Sequence, residues 1–585
     1  MVMDKDISAD NLATMRHTAA HMLAAASTKL RPETKLGVGP AIDDGFYHDI
    51  DVDQNYTDAD LAGLEKEMAK IKRMDLPIKQ REVSKNEARK IFVHDPYKLE
   101  LIEEIPGDTV GVSDMGDGFF VTLCGGGHVA STGKVGFFKL TRLAGVYWKG
   151  DEKNKQLQRI YGVLFPTKKE LGDYLAMLAE AKKRDHRKLG KLLDLFTFSP
   201  LVGAGLPLFT PRGAMIRRQL EEFIQSLQEP RGYQRVTIPH LAKPALYETS
   251  GHWDKFKDDL FHVTGKANAD FVIKPMNCPH HTQIYASRQR SYRELPLRLA
   301  EITAVYRDEQ AGELQGLTRV RSITQDDAHV FCRPDQVQEE VSIIGEIIEG
   351  FYRVFDFAPV IQVSLRDPDQ PEKYLGTDEV WEKAEKELRR ALAGKFEGVP
   401  IKDGVGEAAF YGPKLDFMFS DSLNRQWQLA TIQLDFNMPE RFGLKYMDQD
   451  GLEKTPVMIH RAIAGSLERF MAILLEHYAG ALPLWLSPVQ VKMLPISDEQ
   501  NEYAASVQGE LVKSGLRVEV DDRSESIGKK IREAQNMKVP VMLIVGKKEV
   551  EAETVAVRWR EKGDAGTKKV VEIAKELTEK VRLRD

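Results

Sequence analysis

Residues 306–329 hold Tyr306-Arg307-Asp308-Glu309, a loop from Gly312 to Gly316, then Arg319-Val320-Arg321 and Gln325-Asp326-Asp327-Ala328-His329. Two arginine clusters bracket a glycine-containing loop, and a dense group of acid, amide and imidazole follows. Guanidinium grips phosphate through two parallel N–H donors, while Gln and Asp can fix the amino and hydroxyl groups of a small substrate. Taken alone, the stretch is either a nucleotide-phosphate site or a surface ion-pair network. Around it, strand-like runs at 235–239, 410–419 and 428–436 alternate with helical segments. That pattern predicts an α+β domain built on an antiparallel sheet.

Working outward, 585 residues predict three or four domains, because single cores rarely exceed roughly 250–300 residues. Residues 10–30 have helical periodicity around His17 and His21, and short strands with glycine-rich turns such as Gly125-Gly126-Gly127 follow; residues 1–165 form a first domain. Residues 166–195 are basic and helical and predict a linker helix; 196–485 form the central domain. Residues 486–585 change character: strand candidates at 489–495, 517–520, 541–545 and 554–558 alternate with helices near 498–514, 527–537 and 568–582. This predicts a compact α/β domain. No apolar run approaches the ~20 residues of a membrane span. The acidic N-terminus lacks the apolar core of a signal peptide. Three cysteines, Cys124, Cys278 and Cys332, cannot make a disulfide framework, so a reduced, cytoplasmic protein with no membrane partner is expected. Net charge is −6, which excludes an indiscriminate nucleic-acid coat. The local basic stretches 182–191, 288–298 and 529–538 are either solvated helix faces or surfaces that hold a polyanion.

The segment from Arg293 to Phe331 resembles motif 2 of the class II aminoacyl-tRNA synthetases, specifically the threonyl enzymes. Gly232-Tyr233 through Val236 and Pro239 resemble motif 1, part of the family's dimer interface. His460-Arg461-Ala462, Gly465-Ser466 and Glu468-Arg469 resemble motif 3. Between them lie Lys274-Pro275-Met276-Asn277-Cys278-Pro279 and Phe410-Tyr411-Gly412-Pro413-Lys414, and the likeness runs from about residue 15 to 585. It implies a class II antiparallel-sheet core, an N-terminal α+β editing domain, a C-terminal α/β anticodon-binding domain and a homodimer. The small leading ubiquitin-like domain common in the family does not fit ahead of His17.

The resemblance, not the spacing, implies that Cys278, His329 and His460 bind one zinc ion per subunit, leaving open coordination for threonine's amino and hydroxyl groups. It implies that Arg307 holds the α-phosphate of ATP and Arg469 the γ-phosphate, with magnesium on the triphosphate. Glu309 and Arg319 match the adenine and phosphate sides. Gln325, Asp327, Tyr411, Gln428, Thr431 and Ser466 match the threonine and adenylate pocket, and the product passes to tRNA(Thr). Ile323 stands where an adenine-stacking Phe is usual, which predicts weaker ATP binding.

His17-x3-His21 places two imidazoles on one helix face, and Cys124-x3-His128 supplies two further donors. Read cold, the four are a zinc site or a structural cluster. The resemblance redirects them to a hydrolytic pocket for seryl-tRNA, with Lys98 and Tyr47 as further members. Such a pocket answers a need: serine differs from threonine by one methyl, worth roughly 1–3 kcal/mol, too little for faithful selection. Thr122 and Gly125 depart from the family's usual Asp and Arg, and loss of that carboxylate predicts either weaker editing or an altered selectivity. In the last domain Glu549 and Arg558 match base-contacting positions, while Ser524 and Lys538 replace the more usual Asn and Arg.

Overall fold

The computed structural model describes residues 9–266, 269–392, 396, 398–423 and 425–584. The chain divides into two compact units, Met1–Ala179 and Glu180–Asp585.

In the first unit, the helix Ala9–Leu30 lies against a five-stranded antiparallel sheet formed by Lys35–Leu36, Gly45–Asp51, Gln156–Phe165 and Phe137–Tyr147, with Ala41–Ile42 pairing onto Gly45–Asp51. Good helix formers dominate that helix, and Ala19, Ala20, Leu23, Ala24 and Ala26 are buried along it. Small side chains let the helix sit close to the sheet. A second sheet, Ile78–Ser84, Thr109–Met115 and Phe120–Leu123, carries the helices Lys85–Ile91 and Pro96–Glu104. Asp95 caps the latter by accepting from Tyr97 N and Lys98 N, with Pro96 in the first turn.

The second unit is built on an eight-stranded sheet in the order Gln234–Arg235, Leu297–Tyr306, Ser322–Cys332, Val457–Ser466, Gln426–Asp435, Lys414–Ser420, Pro359–Leu365, Ile401–Val405. The inner pairings are antiparallel and only the two edge pairings are parallel. Helices Pro211–Gln228, Val337–Arg353 and Leu467–His477 join the main core. Val337, Val341, Ile344, Ile348 and Phe351 recur at helical spacing and are buried, a stripe that seals one sheet face. The strand expected at 410–419 begins only at Lys414, and that at 235–239 is two residues long.

The expected linker helix is two helices, Lys168–Arg184 and His186–Leu192, separated by Asp185, which caps the second by accepting from Arg187 N. The basic stretch 182–191 is therefore not a uniformly solvated face: His186 is buried. Lys530, in the stretch 529–538, is buried too and donates to Pro495 O at 2.9 Å.

The C-terminal residues form a five-stranded sheet, Val518–Val520, Val491–Pro495, Val541–Val545, Thr554–Trp559 and Gly563–Lys569, flanked by Asn501–Lys513, Ile527–Asn536 and Val570–Leu583. The edge strand Gly563–Lys569 was not expected from Gly-Asp-Ala-Gly-Thr-Lys-Lys, which has no apolar alternation; its ladder to Thr554–Trp559 makes it a strand. Arg517 fastens this sheet to the core, donating to Trp485 O (2.6 Å), Ser487 O (2.9 Å) and Gln219 Oε1 (3.1 Å).

Candidate active sites

Along Ser322–Cys332, alternate residues Ile323, Gln325, Asp327 and His329 share one face of the strand, because successive side chains point to opposite sides. Register extends the row sideways: Gln325 lies opposite Ser466, Asp327 opposite Ala462, and His329 opposite His460. On the next strand Thr431 pairs with Ala462 and Gln433 with His460. Residues scattered over more than a hundred positions thus form one polar floor.

At one end of this floor sit Cys278, His329 and His460, all buried, with donor atoms within 4.8 Å of one another. His460 Nε2 lies 3.0 Å from Asp435 Oδ2, leaving Nδ1 as the nitrogen free for a cation, and Tyr411 stacks on the ring at 4.6 Å. Asp435 Oδ1 accepts from Asn437 N and Met438 N, both at 2.8 Å. Burial, together with Asp327 and Asp435, pushes the Cys278 thiol well above its usual range. A thiol there ionises only against a cation. One thiolate and two imidazoles, one backed by a carboxylate, suit zinc with an open position. Tyr411 also donates to Gln433 Oε1. Gln428 Nε2 (2.6 Å) and Thr431 Oγ1 (3.0 Å) both bond Asp416 Oδ1. Asp327 Oδ2 accepts from Asn277 Nδ2 at 3.0 Å.

At the other end three guanidinium groups converge. Burial lowers the Arg307 and Arg469 pKa values; Arg319 adds to the lowering on Arg307, and Arg307 and Arg319 on Arg469, while Glu309 opposes both shifts. Glu309 and Glu313 offset part of this positive charge, and the rest favours an anion bound beside it. Arg319 is tethered to Glu309 Oε2 (2.7 Å) and Glu313 Oε2 (3.0 Å), Arg307 touches Met276 Sδ (3.2 Å), and Arg469 Nε donates to Thr318 O (3.1 Å). Ile323, half-buried opposite Val305, closes the row beside them.

In the first unit, His17, His21, Cys124 and His128 meet with donor atoms within 4.8 Å. Cys124 Sγ is 3.3 Å from His17 Nε2 and 3.4 Å from His128 Nε2, and the two helix histidines are 3.2 Å apart at Nε2. A Cβ on Gly126 would come within 2.6 Å of the His17 ring, so any larger residue there would displace that imidazole. Thr18 Oγ1, bonded to Thr14 O, lies 3.2 Å from His128 Nδ1 and orients that ring. Burial lowers the His17 and His21 pKa values and takes His128 to about 4, so the imidazoles are neutral at pH 7. Lys98, buried and donating to Gly37 O at 2.7 Å, is pulled down by burial to about 8 and acts electrostatically on Cys124 and His21.

Tyr47 is not placed with these groups. It lies on the opposite face of Gly45–Asp51, with the Arg159 guanidinium 3.7 Å from its ring centroid and Tyr161 at 5.6 Å. His48 takes the inward position instead, buried to the point that its pKa falls to about 3, with Lys98 and His17 contributing. The signal was in the sequence: Phe46, His48 and Ile50 alternate on the apolar side of the strand. Thr122 is buried on Phe120–Leu123. Asn277, Gln433 and Asp435 were likewise missed in the central site.

Toward the C-terminus, Glu549 Oε2 accepts from Gly546 N at 2.9 Å. Arg558 lies on Thr554–Trp559 with Nε buried and unbonded; Ser524 Oγ bonds Asp498 at 3.0 Å; Lys538 has φ +57°.

Comparison with known proteins follows the same division. Residues 261–478 match the tRNA synthetase class II core domain (G, H, P, S and T), 490–580 the anticodon binding domain, and 110–161 the threonyl and alanyl tRNA synthetase second additional domain. Threonine–tRNA ligase of Rubrobacter xylanophilus is 50% identical over 565 residues, 96% of this chain and 87% of that protein. The chain belongs to the threonine–tRNA ligase family. The Porphyromonas gingivalis member is 50% identical over 571 residues, again 96% and 87% of the two chains. A crystal structure of the RNA binding domain of threonyl-tRNA synthetase from Cryptosporidium parvum superposes with TM-score 0.64 at 38% identity, covering 68% of this chain and 98% of that one. Among the described residues, no helix of this family member is long and apolar enough to cross a membrane.

Proposed function

We propose that the protein activates threonine with ATP to threonyl-adenylate, transfers the threonyl group to tRNA(Thr), and hydrolyses mischarged seryl-tRNA(Thr) in its first unit. One observation carries the reading: the polar floor with a Cys/His/His cluster at one end and three converging guanidinium groups at the other. That order of groups along one face suits an amino acid beside a nucleotide. Threonine's carboxylate oxygen attacks the α-phosphorus and pyrophosphate leaves. Arg307 holds the α-phosphate, Arg469 and Arg319 the outer phosphates, with Glu309 orienting Arg319, and no charge need be reorganised as the transition state forms. Ile323 covers the adenine. Gln325, Asp327, Tyr411, Gln428, Thr431 and Ser466 orient the amino acid and adenylate. A terminal ribose hydroxyl then attacks the carbonyl and AMP leaves.

Cys278, His329 and His460 would hold zinc, which supplies a Lewis-acid anchor for the threonine amino and hydroxyl groups. Magnesium would screen the triphosphate. Valine lacks the hydroxyl and is rejected strongly; serine loses one methyl, worth about 1–3 kcal/mol. The His17/His21/Cys124/His128 pocket removes that error, with neutral imidazoles and the Lys98 ammonium positioning water at the seryl ester. Glu549 and Arg558 are assigned to the anticodon. A homodimer through the 232–239 segment and a cytoplasmic location complete the proposal.

The test is amino-acid-dependent ATP–pyrophosphate exchange with threonine, serine and valine, with and without a chelator. Threonine should support fast exchange, serine weak exchange and valine none, and the chelator should abolish the threonine signal. No exchange with threonine overturns the reading.

A further inference from the structure

A third group of potential ligands, Asp185, His186 and Glu476, gathers at the start of the helix His186–Leu192. Both ring nitrogens of its histidine are already engaged. His186, 3% exposed, has Nδ1 2.7 Å from Glu476 Oε1, and its own backbone N donates to the same oxygen at 3.1 Å. Nε2 accepts the Leu317 N–H at 3.0 Å. A backbone amide can only donate, so Nε2 carries a lone pair and the ring proton sits on Nδ1, facing the carboxylate. The other Glu476 oxygen is held by Arg425 at 2.5 Å.

Leu317 is at the tip of the turn that joins Leu297–Tyr306 to Ser322–Cys332, the turn that carries Glu309 and Arg319. The turn is tight: Thr318 N and Arg319 N donate to Gln315 O, and Gln315 N to Arg319 O. Gly316 has φ +53°, and a Cβ there would lie 2.2 Å from His186 Nε2, so only glycine lets the turn rest on the ring. The Leu317 side chain is fully buried. The next residue, Thr318, accepts Arg469 Nε at 3.1 Å through its carbonyl.

We infer that His186 is a positioning residue for ATP: Glu476 locks its tautomer, the ring pins the Leu317 amide, and the pinned turn fixes Arg319 and Arg469 against the triphosphate. The inference rests on the ATP reading of the arginine cluster and names residues outside it. His186 touches no substrate; it acts through the turn.

The experiment uses the full chain with His186→Leu, His186→Gln and Gly316→Ala. Hydrogen exchange in peptides covering 310–320 should accelerate in the Leu and Ala variants. KM for ATP in pyrophosphate exchange should rise about 10-fold, the scale of one buried hydrogen bond. KM for threonine and bound zinc should stay unchanged, and Gln, which returns an acceptor toward Leu317, should recover most of the loss. Unaltered exchange and KM for ATP in folded His186→Leu and Gly316→Ala would overturn the clamp. So would a parallel fall in every kinetic constant with the melting temperature, the mark of a merely structural residue. If His186→Leu does not fold, Gly316→Ala decides by the same readouts. Absence of threonine-dependent exchange in the wild type overturns the functional reading instead, and amide exchange of the turn still judges the clamp.

Discussion

Asp435→Asn should weaken zinc binding without unfolding the core. The carboxylate is fully buried and divides its oxygens: Oδ1 serves Asn437 N and Met438 N at 2.8 Å, and Oδ2 serves His460 Nε2 at 3.0 Å. Asparagine has the same shape but one acceptor. If its amide group turned toward the two backbone N–H groups, two buried donor–donor contacts would result, so Oδ1 stays there and Nδ2 faces His460. The imidazole then has two options. It can keep its proton on Nε2 and leave a buried donor pair unsatisfied, at about 1–3 kcal/mol. Alternatively it can move the proton to Nδ1, the nitrogen available to the metal, and lose ligand character. Either route taxes the metal-bound state, and outer carboxylates of this kind are worth roughly 10–100-fold in affinity, or about 1.4–2.7 kcal/mol.

The assay is chelator-buffered zinc titration read by threonine-dependent pyrophosphate exchange. Half-saturating free zinc should rise by about 10–100-fold, while the rate at saturating zinc returns near wild type and the metal-free melting temperature changes little, because the two backbone donors keep their acceptor. An unchanged half-saturation point would refute the assignment of His460 as a ligand tuned by Asp435. A variant that binds zinc normally yet activates threonine poorly would refute it equally.

His17→Ala should let seryl-tRNA(Thr) accumulate while threonylation keeps its rate; rapid deacylation of seryl-tRNA surviving in that variant would contradict the pocket assignment. Lys98 titrates near 8 when folded, against an ordinary value of 10.5. Its ammonium is present at pH 7 and is lost as pH rises through about 8, so seryl-tRNA hydrolysis should decline above that point, and Lys98→Met should be slow and flat across it. The same depression means the unfolded chain binds more protons between about 8 and 10.5, so Lys98 makes stability rise with pH across that window; its Met variant should lack the slope in denaturant titrations. Leu511→Ala, at a fully buried position of the C-terminal core, should cost about 2–5 kcal/mol in denaturant unfolding and impair tRNA charging before threonine-dependent pyrophosphate exchange.

Local patterns reached the fold and part of the sites. The i, i+4 pair His17 and His21 needs only one helix, so spacing sufficed, and the alternating strands of the core announced themselves by composition. Cys278, His329 and His460 could not be read that way: His329 faces His460 only because two strands 131 positions apart pair in a particular antiparallel register, and Cys278 arrives on a separate helix. Their assignment came from likeness to a family. Tyr47 shows the opposite failure. Motif matching tolerates a one-residue slip, but a strand does not, since one step reverses the face. The alternation Phe46, His48, Ile50 would have corrected it. His186 was hidden in a basic run whose net charge says nothing about the single member that turns inward.

Two clusters of similar donors sit in one chain, and their surroundings separate their chemistry. Around Cys278 the strongest external charges are Asp327 and Asp435, which raise the thiol and would repay a bound dication. Around Cys124 burial raises the thiol too, but the external charge is Lys98, which opposes that rise; burial likewise lowers His21, and Lys98 adds to the lowering. A divalent ion placed there would meet an ammonium; an ester carbonyl developing negative charge would meet the same ammonium favourably. The same donor types therefore sit before charges of opposite sign, negative behind Cys278 and positive behind Cys124, the signs that the proposed zinc binding and the proposed ester hydrolysis each call for.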